Sequence, residues 1–244
     1  MPSPKLRIDR LLVERGLFDS RAKAQAAIEA GLVKADGKVI GKASEEVAAD
    51  AQIEATPAHP YVSRGALKLV AALDHFKFDP KGRVCLDVGA STGGFTQVLL
   101  ERGAARVYAV DVGTAQLHPR LGGDARIVSL EQTDIRKLDA ALLDPKPDLI
   151  VCDVSFISLK QVLPAALALA ARPAQLVALI KPQFEAGRAQ LKKGIVRDAA
   201  VRQAVCEDIE TLVQSLGGAA IGVIPSPIEG GDGNVEYLIG AEVS

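Results

Sequence analysis

The sequence predicts a doubly wound α/β domain with a Rossmann-like, mostly parallel sheet, preceded by a small α+β module. From residue 83 onward, short apolar runs typical of buried strands alternate with segments of helical periodicity. The last two predicted strands have no helix between them, which indicates an antiparallel C-terminal hairpin. Strands are predicted at 83–88, 106–111, 126–130, 148–153, 175–181, 219–224 and 235–241, and helices at 63–75, 93–102, 158–171 and 198–216.

Residues 1–55 are predicted to form a separate unit of two helices and a hairpin. Apolar residues at helical spacing predict a first helix, from about Leu6, that ends near Gly16. Ser20 is a good N-cap for a second helix, which Gly31 would end. The pair Asp36–Gly37, between two short apolar segments, is a strong signal for a tight hairpin turn. A unit of this size is too small to be an enzyme by itself.

The segment 56–62 is predicted to be a linker to the larger domain, 63–244. Pro57 and Pro60 lie within it. Proline lacks an amide N–H and cannot continue a helix or a central strand, so the segment separates the two units.

Composition sets the broad class. Hydrophobic residues make up 48% and charged residues 24% of the 244 residues, as in soluble globular proteins. The net charge of −1 excludes a globally basic protein, but nine Lys/Arg stand against five Asp/Glu up to Lys42. A basic face on the small module therefore remains possible.

Cysteine spacing and hydropathy exclude several other classes. The three cysteines form no C-x-x-C pair, which argues against a disulfide framework or a metal site. The N-terminus does not resemble a signal peptide, and no uninterrupted apolar run reaches the roughly 20 residues of a membrane span. We therefore expect a cytoplasmic protein without a membrane partner or a bound metal.

The run 84–96 predicts a buried strand, a glycine-rich turn and the start of a helix, an arrangement that brings backbone amides close to a ligand. The glycine spacing differs from the G-x-G-x-x-G of dinucleotide enzymes and better suits a cofactor that carries an amino acid. By itself, the turn also fits a strand-to-helix connection without a ligand. The candidate cofactor residues here are Asp87, Gly89, Ala90, Ser91, Thr92, Gly93, Gly94 and Phe95.

Two further strand ends offer polar groups to a nucleoside. Asp111 ends the second predicted strand, where a carboxylate can bind both ribose hydroxyls of NAD or of S-adenosylmethionine. Asp134, after the third strand, could reach an adenine amino group or be a solvated loop acid. Val112 and Ile135 complete this set of candidate cofactor residues.

The fourth and fifth strands end in Asp153 and Lys181. Ligands bind at the carboxyl edge of open α/β sheets, so both side chains are candidates for chemistry. Lys181 follows an apolar run and precedes a proline, which predicts partial desolvation and favours its neutral form. Each residue alone is also compatible with an ordinary charged strand terminus.

Taken together, these stretches resemble the TlyA-type, hemolysin-A-like members of the FtsJ-like ribose methyltransferases. The front module is similar to the RNA-binding domain of the ribosomal-protein-S-four type. The resemblance lies in residues 61–69, 86–96, 152–158, 179–185, 193–198 and 230–237 of the larger domain, and in 7–12, 20–24 and 31–34 of the module.

The resemblance implies a class I methyltransferase that uses S-adenosyl-L-methionine to methylate a ribose 2′-hydroxyl of ribosomal RNA, with cytidine as the expected target. The Lys-Asp-Lys-Glu set of related enzymes corresponds here to Lys68, Asp153, Lys181 and Glu236. We expect Lys181 to take the proton, Asp153 and Glu236 to hold the lysines, and Lys68 to orient the hydroxyl. Asp153 would also face the cofactor. Which lysine is the base stays open at this point.

Basic residues in both units are candidates for RNA contacts, and solvated surface charge is the alternative for all of them. We expect ribosomal RNA or ribosomal subunits as partners and a monomeric enzyme. The candidates are Arg7, Arg10, Arg21, Lys23 and Lys34 in the module, and Arg64, Arg188, Lys192 and Lys193 in the larger domain.

Three other functions compete with this one. A nucleotide-dependent oxidoreductase would use the glycine turn and Asp111, but would leave Lys68, Lys181 and Glu236 without a role. A non-catalytic ribosome-assembly factor would use the fold as a scaffold. A pore-forming hemolysin would need a membrane-active segment, which the sequence does not contain.

Overall fold

The computed structural model describes residues 3–230 and 233–244. The chain forms two compact units, Met1–Pro60 and Tyr61–Ser244. Residues 231–232, which belong to the last stretch of the family resemblance, lie outside the described part of the chain.

The smaller unit packs two helices against short strands. Its core contains Ile8, Leu12, Ile28 and Val33, each at most 2% exposed. The elements are β1 (Lys5–Arg7), α1 (Ile8–Glu14), α2 (Arg21–Glu29), β2 (Val33–Ala35), β3 (Lys38–Val39), β4 (Glu46–Ala48) and β5 (Ile53–Ala55).

The predicted hairpin is confirmed, and the start of the unit needs a correction. β2 and β3 pair antiparallel around Asp36 and Gly37, whose φ angles of 48° and 77° are those of a tight primed turn. The first helix does not begin at Leu6, because Lys5–Arg7 forms strand β1 and pairs with β4. The strands β1, β4 and β5 were not predicted, since such short strands carry too little alternation to stand out.

The larger unit alternates helices and strands as predicted. Its helix after the linker begins at Ala66 rather than at Ser63, because residues 63–65 form a turn first. The elements are α3 (Ala66–Phe76), β6 (Val84–Val88), α4 (Gly94–Glu101), β7 (Arg106–Val110), β8 (Ile127–Leu130), β9 (Leu149–Cys152), α5 (Leu159–Ala168), β10 (Ala174–Ile180), α6 (Pro182–Glu185), α7 (Ala199–Ser215), β11 (Gly218–Pro225) and β12 (Tyr237–Val243).

These strands form one seven-stranded sheet in the order β11-β12-β10-β9-β6-β7-β8. The five strands from β10 to β8 are mutually parallel, and β12 runs antiparallel between β10 and β11. Central strands such as β9 are buried on both faces, which explains their continuous apolar sequence. The predicted fold class is confirmed, with β12 starting at Tyr237 instead of residue 235.

Within residues 3–230 and 233–244, no helix is both long and apolar enough to cross a bilayer. The 17-residue helix α7 keeps a polar face, and only four of its residues are buried.

Candidate functional site

The sheet topology gathers the candidate residues at one edge. The parallel strands β6, β7, β9 and β10 all end there. Because β12 is antiparallel to β10, with Tyr237 opposite Ile180, the start of β12 lies at the same edge. Glu236, directly before β12, is therefore brought beside Lys181, directly after β10.

The glycine turn after β6 needs its glycines. Gly89 has a φ of +83°, and a Cβ there would lie 2.5 Å from the backbone oxygen of Asp153. Gly93 has a φ of +89°, and a Cβ there would meet Leu121 at 2.5 Å. The turn therefore lies close against the end of β9, with a backbone that side chains would obstruct.

A cleft of about 370 Å³ extends from this turn along the sheet edge. Its lining includes two apolar residues, Val112, which is 74% exposed, and Ile135, which is buried. An apolar pair of this kind suits a flat heteroaromatic ring. Gly89, Ser91, Asp111, Asp134 and Asp153 also line this cleft, as do Arg136, Ser155 and Phe156.

The two nucleoside candidates are both held in place by neighbours. The carboxylate of Asp111 accepts hydrogen bonds from the backbone amides of Ser91 (2.8 Å) and Gly113 (2.7 Å), one on each oxygen. Each oxygen keeps a lone pair for a ribose hydroxyl. Asp134 accepts hydrogen bonds from the side chain and the amide of Arg136, which hold its pKa at about 2. A contact from Asp134 to an adenine amino group would use a remaining lone pair.

A second cavity, of about 500 Å³, lies on the other side of Ser155. Three of the four side chains of the Lys-Asp-Lys-Glu set, Lys68, Lys181 and Glu236, line it, together with Arg64. The fourth, Asp153, lines the first cleft. A smaller cavity of about 200 Å³ at the glycine turn is lined by Asp153, Ser155 and Lys181, and by Ser63, Ala90, Thr92, Gly94 and Phe95.

The four side chains form two ion pairs. Nζ of Lys68 lies 2.6 Å from Oε2 of Glu236, and Nζ of Lys181 lies 2.6 Å from Oδ1 of Asp153. Lys68, Lys181 and Glu236 are all less than 9% exposed. Nζ of Lys181 also donates to Oγ of Ser155 at 2.8 Å. The arrangement holds two ammonium groups, each beside a carboxylate, on the wall of a cavity open to a ligand.

Asp87 lies beneath the turn, fully buried, and supports it from inside. Its Oδ2 accepts a hydrogen bond from the hydroxyl of Thr96 at 2.6 Å, and its Oδ1 has no hydrogen-bond partner among the described residues. Burial raises the pKa of this carboxyl from 3.8 to about 7, although the Thr96 bond favours the charged form.

This pKa predicts a pH-dependent stability. The folded state binds the Asp87 proton more tightly than the unfolded state, so the stabilisation is complete below about pH 4 and is lost as the pH rises through about 7. We expect Asp87→Asn to make the unfolding free energy less steeply dependent on pH than in the wild type. Urea titrations at several pH values, with tyrosine fluorescence as the signal, measure the unfolding free energy of the larger unit, because all three tyrosines lie in it. Equal slopes for both proteins would contradict the assignment.

An aromatic pair beside the site had no role in the sequence-based prediction. Phe156 is 91% exposed, has a φ of +65°, and lines both the first cleft and the second cavity. Its ring centroid lies 5.1 Å from that of Phe184, which follows Lys181 by three residues. Such a φ is rare for a bulky residue and marks a strained position. Phe156 and Phe184 fall inside the motif stretches, but only the coordinates reveal their exposure and contact.

Glu185, also without a predicted role, links the segments that follow β9 and β10. Its carboxylate accepts hydrogen bonds from the hydroxyl of Ser158 and, at 2.7 Å, from the amide of Leu159 at the start of α5. Burial raises the pKa of Glu185. The loop after β9, which carries Asp153, is thereby fixed to the segment after Lys181.

In the smaller unit, each candidate RNA contact has an acidic neighbour. Arg7 and Arg21 both pair with Asp9, which is 3% exposed and whose pKa the Arg7 and Arg21 guanidinium groups lower to about 2. The two guanidinium groups thus form a fixed pair that is partly exposed. The other pairs are Arg10–Glu14 at 3.9 Å, Lys23–Asp19 at 2.8 Å and Lys34–Glu54 at 3.5 Å.

In the larger unit, a basic loop follows β10 and the short helix α6. Lys192 and Ile195 form an antiparallel bridge around Lys193 and Gly194, whose φ angles are 53° and 79°. The side-chain amide of Asn234 donates to the Gly194 carbonyl. Arg188, Lys192 and Lys193 carry the positive charge of this loop, and Leu191 and Gly194 line the second cavity. The tight turn therefore holds cationic side chains near the cavity.

Comparisons with known proteins agree with this geometry. The family model of the FtsJ-like methyltransferases matches residues 61–243, and the S4 domain model matches residues 6–53. The 16S/23S rRNA (cytidine-2′-O)-methyltransferase TlyA of Mycobacterium tuberculosis is 45% identical over 238 residues, which cover 96% of this chain and 89% of that protein. The match leaves no support for the oxidoreductase considered from the sequence.

Two relatives carry a different name. Hemolysin A of Brachyspira hyodysenteriae is 38% identical over 235 residues, covering 96% of this chain and 98% of that protein. A solved structure of a candidate hemolysin from Streptococcus thermophilus superposes with a TM-score of 0.78 at 41% identity, covering 99% of this chain and 89% of that one. The full-length matches indicate that both units occur together in these relatives.

Proposed function

The chain belongs to the FtsJ-like methyltransferase family, and on that premise we propose that it transfers the methyl group of S-adenosylmethionine to the 2′-hydroxyl of a cytidine in ribosomal RNA. The observation that carries the proposal is the meeting of two lysine–carboxylate pairs where the first cleft and the second cavity adjoin. The nucleoside and the type of RNA come from the names of the relatives. An enzyme that methylates ribosomal RNA would act in the cytoplasm.

The residues of the first cleft suit the cofactor. Val112 and Ile135 would contact the adenine ring, and Asp111 would accept hydrogen bonds from the ribose hydroxyls. The small polar cavity between Ser63 and the glycine turn would take the amino-acid end, where backbone amides can meet its carboxylate. Asp153 faces the region between these two ends.

Bound S-adenosylmethionine would supply an electrophilic methyl group to the 2′-oxygen and would leave as the neutral thioether. Lys181 would take the hydroxyl proton on its lone pair as the oxygen–carbon bond forms. Asp153 then stabilises the resulting ammonium at 2.6 Å. Lys68, held by Glu236, would stabilise the negative charge that develops on the oxygen. General base catalysis of this kind contributes about 10²–10⁴-fold.

Both units would contribute to RNA binding. In the matched S4 domain, Arg7 and Arg21 both pair with Asp9. This pairing would hold their remaining N–H groups in a fixed orientation for phosphates of the RNA. Arg64 lines the second cavity, and Lys192 and Lys193 lie in the basic loop whose Leu191 and Gly194 also line it. These charges are sequence-independent contacts that would position the RNA backbone.

The exposed aromatic pair supplies a surface for a nucleotide base. We expect Phe156→Ala to raise the KM for an rRNA fragment by about 5- to 150-fold, which corresponds to stacking energies of about 1–3 kcal/mol per base, with a smaller change in cofactor affinity. Alanine shares the strain of a positive φ, so the variant removes the ring without relieving the backbone. The matched control is Leu142→Ala, at an apolar residue 55% exposed elsewhere. An unchanged KM for Phe156→Ala would exclude the stacking role.

The function itself is tested by methyl transfer. Purified full-length protein is incubated with methyl-labelled S-adenosylmethionine and with separated small and large ribosomal subunits that lack 2′-O-methylation. We expect label in RNA at a cytidine, mapped as an alkali-resistant 2′-O-methyl linkage. If neither subunit nor naked ribosomal RNA accepts label, although both bind the protein, a non-catalytic assembly factor becomes the better description.

A further inference from the structure

The two lysines of the site have different surroundings. Lys68 reaches Glu236 and lines the second cavity. Lys181 reaches two groups, Asp153 at 2.6 Å and Ser155 at 2.8 Å, and lines both the second cavity and the small cavity at the glycine turn. Ser155 lines all three cavities, including the first cleft. Lys181 and Ser155 therefore lie where a methyl group would pass from cofactor to RNA.

The chain sets up this double contact locally. Asp153 and Ser155 are two residues apart in the loop that follows β9. In extended backbone, side chains at this spacing lie on the same side, so both can reach the same partner. Their common partner lies at the end of the neighbouring parallel strand β10. The positive φ of the next residue, Phe156, turns the chain away immediately afterwards.

A hydrogen bond to Ser155 and the nearby charge of Asp153 together determine where the lone pair of Lys181 points. An ammonium group has three N–H bonds in tetrahedral geometry. One N–H of Lys181 donates to Oγ of Ser155, which fixes the rotation about the Cε–Nζ bond. Oδ1 of Asp153 lies 2.6 Å from Nζ without the geometry of a hydrogen bond, but its negative charge favours an N–H over the lone pair on that side, so the third position faces a single direction. In the neutral amine that third position is the lone pair that accepts the proton. Without the hydrogen bond to Ser155, the amine could rotate about the Cε–Nζ bond and direct its lone pair elsewhere.

We propose that Ser155 is a positioning residue that aims the lone pair of Lys181 at the substrate hydroxyl. This inference rests on the proposed methyl transfer and assigns the role of base to Lys181 rather than to Lys68. The Ser155 oxygen accepts a hydrogen bond from Nζ of Lys181, and the residue acts on the reaction through this lysine. A misplaced base lowers the rate of reaction without weakening the binding of either substrate.

The test separates kcat from KM in three variants of the full chain. We expect Ser155→Ala to lower the single-turnover rate by about 10- to 100-fold, with KM values for RNA and S-adenosylmethionine within about two-fold of the wild type. Ser155→Thr keeps the hydroxyl and is expected to recover most of the rate. Ser129→Ala, at an exposed serine on β8 away from the three cavities, is the matched control and is expected to match the wild type.

Each other outcome overturns the assignment. Equal losses in Ser155→Ala and Ser155→Thr would show that the position matters for packing and not for its hydroxyl. A rise in KM with an unchanged rate would make Ser155 an RNA-binding residue. Full activity of Ser155→Ala, with an active wild type, would remove the positioning role and leave the proposed function intact. A wild type that transfers no methyl group would remove both.

Discussion

Lys181→Met is expected to lower the rate of methyl transfer by about 10²–10⁴-fold, because it removes the amine proposed to take the hydroxyl proton. Methionine has a similar length and fits the mostly buried stem of the side chain, which is 10% exposed. The affinities for RNA and S-adenosylmethionine should change little. Single-turnover transfer of labelled methyl groups, with both affinities measured separately, distinguishes loss of chemistry from loss of binding.

A matched control for this variant is Lys146→Met. Lys146 is exposed and precedes β9, so it lies at the opposite edge of the sheet from the site. It tests whether loss of a lysine charge alone affects the assay. A Lys181→Met enzyme that keeps more than about a tenth of the wild-type rate would contradict the role of Lys181 as the base.

The sequence predicted the sheet of the larger unit because its pattern follows from burial. Strands β6, β9 and β10 are covered on both faces, so their sequences are apolar apart from Asp87 in β6 and Gln175 in β10. The strands are followed by the glycine turn, Asp153 and Lys181, respectively. A parallel sheet brings such strand ends to one edge, so proximity of these residues followed from the fold class alone.

The position of Glu236 could not be derived in this way. It precedes a strand whose order in the sheet is not encoded in hydrophobic periodicity, and a simple hairpin at the sheet edge would have been equally compatible. Insertion of β12 between β10 and β11, antiparallel to both, brings Glu236 beside Lys68. The family resemblance supplied this residue, whereas periodicity did not.

For a related reason, the sequence could not predict the contacts that individual side chains make. The bond from Lys181 to Ser155 depends on rotamers, and the exposure of Phe156 depends on a backbone angle that its residue type disfavours. In the smaller unit, the pairing of Arg7 and Arg21 with Asp9 likewise joins residues whose charges alone suggested an open basic face. Local strain and pairing accumulate at sites of function, where sequence rules are least reliable.

The two ion pairs of the site differ in their exposure to water, and this difference leads to the second large prediction. The side chain of Asp153 is 21% exposed, whereas that of Glu236 is 2% exposed and that of Lys68 is 9% exposed. Removing one partner of a buried pair leaves the other charge without compensation, which costs about 3–5 kcal/mol. The Lys181 pair, which is closer to solvent and has Ser155 as a further partner, should tolerate loss of its lysine better.

Lys68→Met is therefore expected to lower the unfolding free energy of the larger unit by about 3–5 kcal/mol, and Lys181→Met by less. The double variant Lys68→Met/Glu236→Gln also removes the unpaired carboxylate, and it should recover part of the lost unfolding free energy. The amide introduced at position 236 can still contact Gln183, whose side-chain amide lies 3.4 Å from the Glu236 carboxylate in the wild type. Urea unfolding followed by tyrosine fluorescence reports on this unit, because the chain has no tryptophan and its tyrosines all follow residue 60. If the single and double variants are equally unstable, the loss comes from packing around Lys68 and not from the unpaired carboxylate.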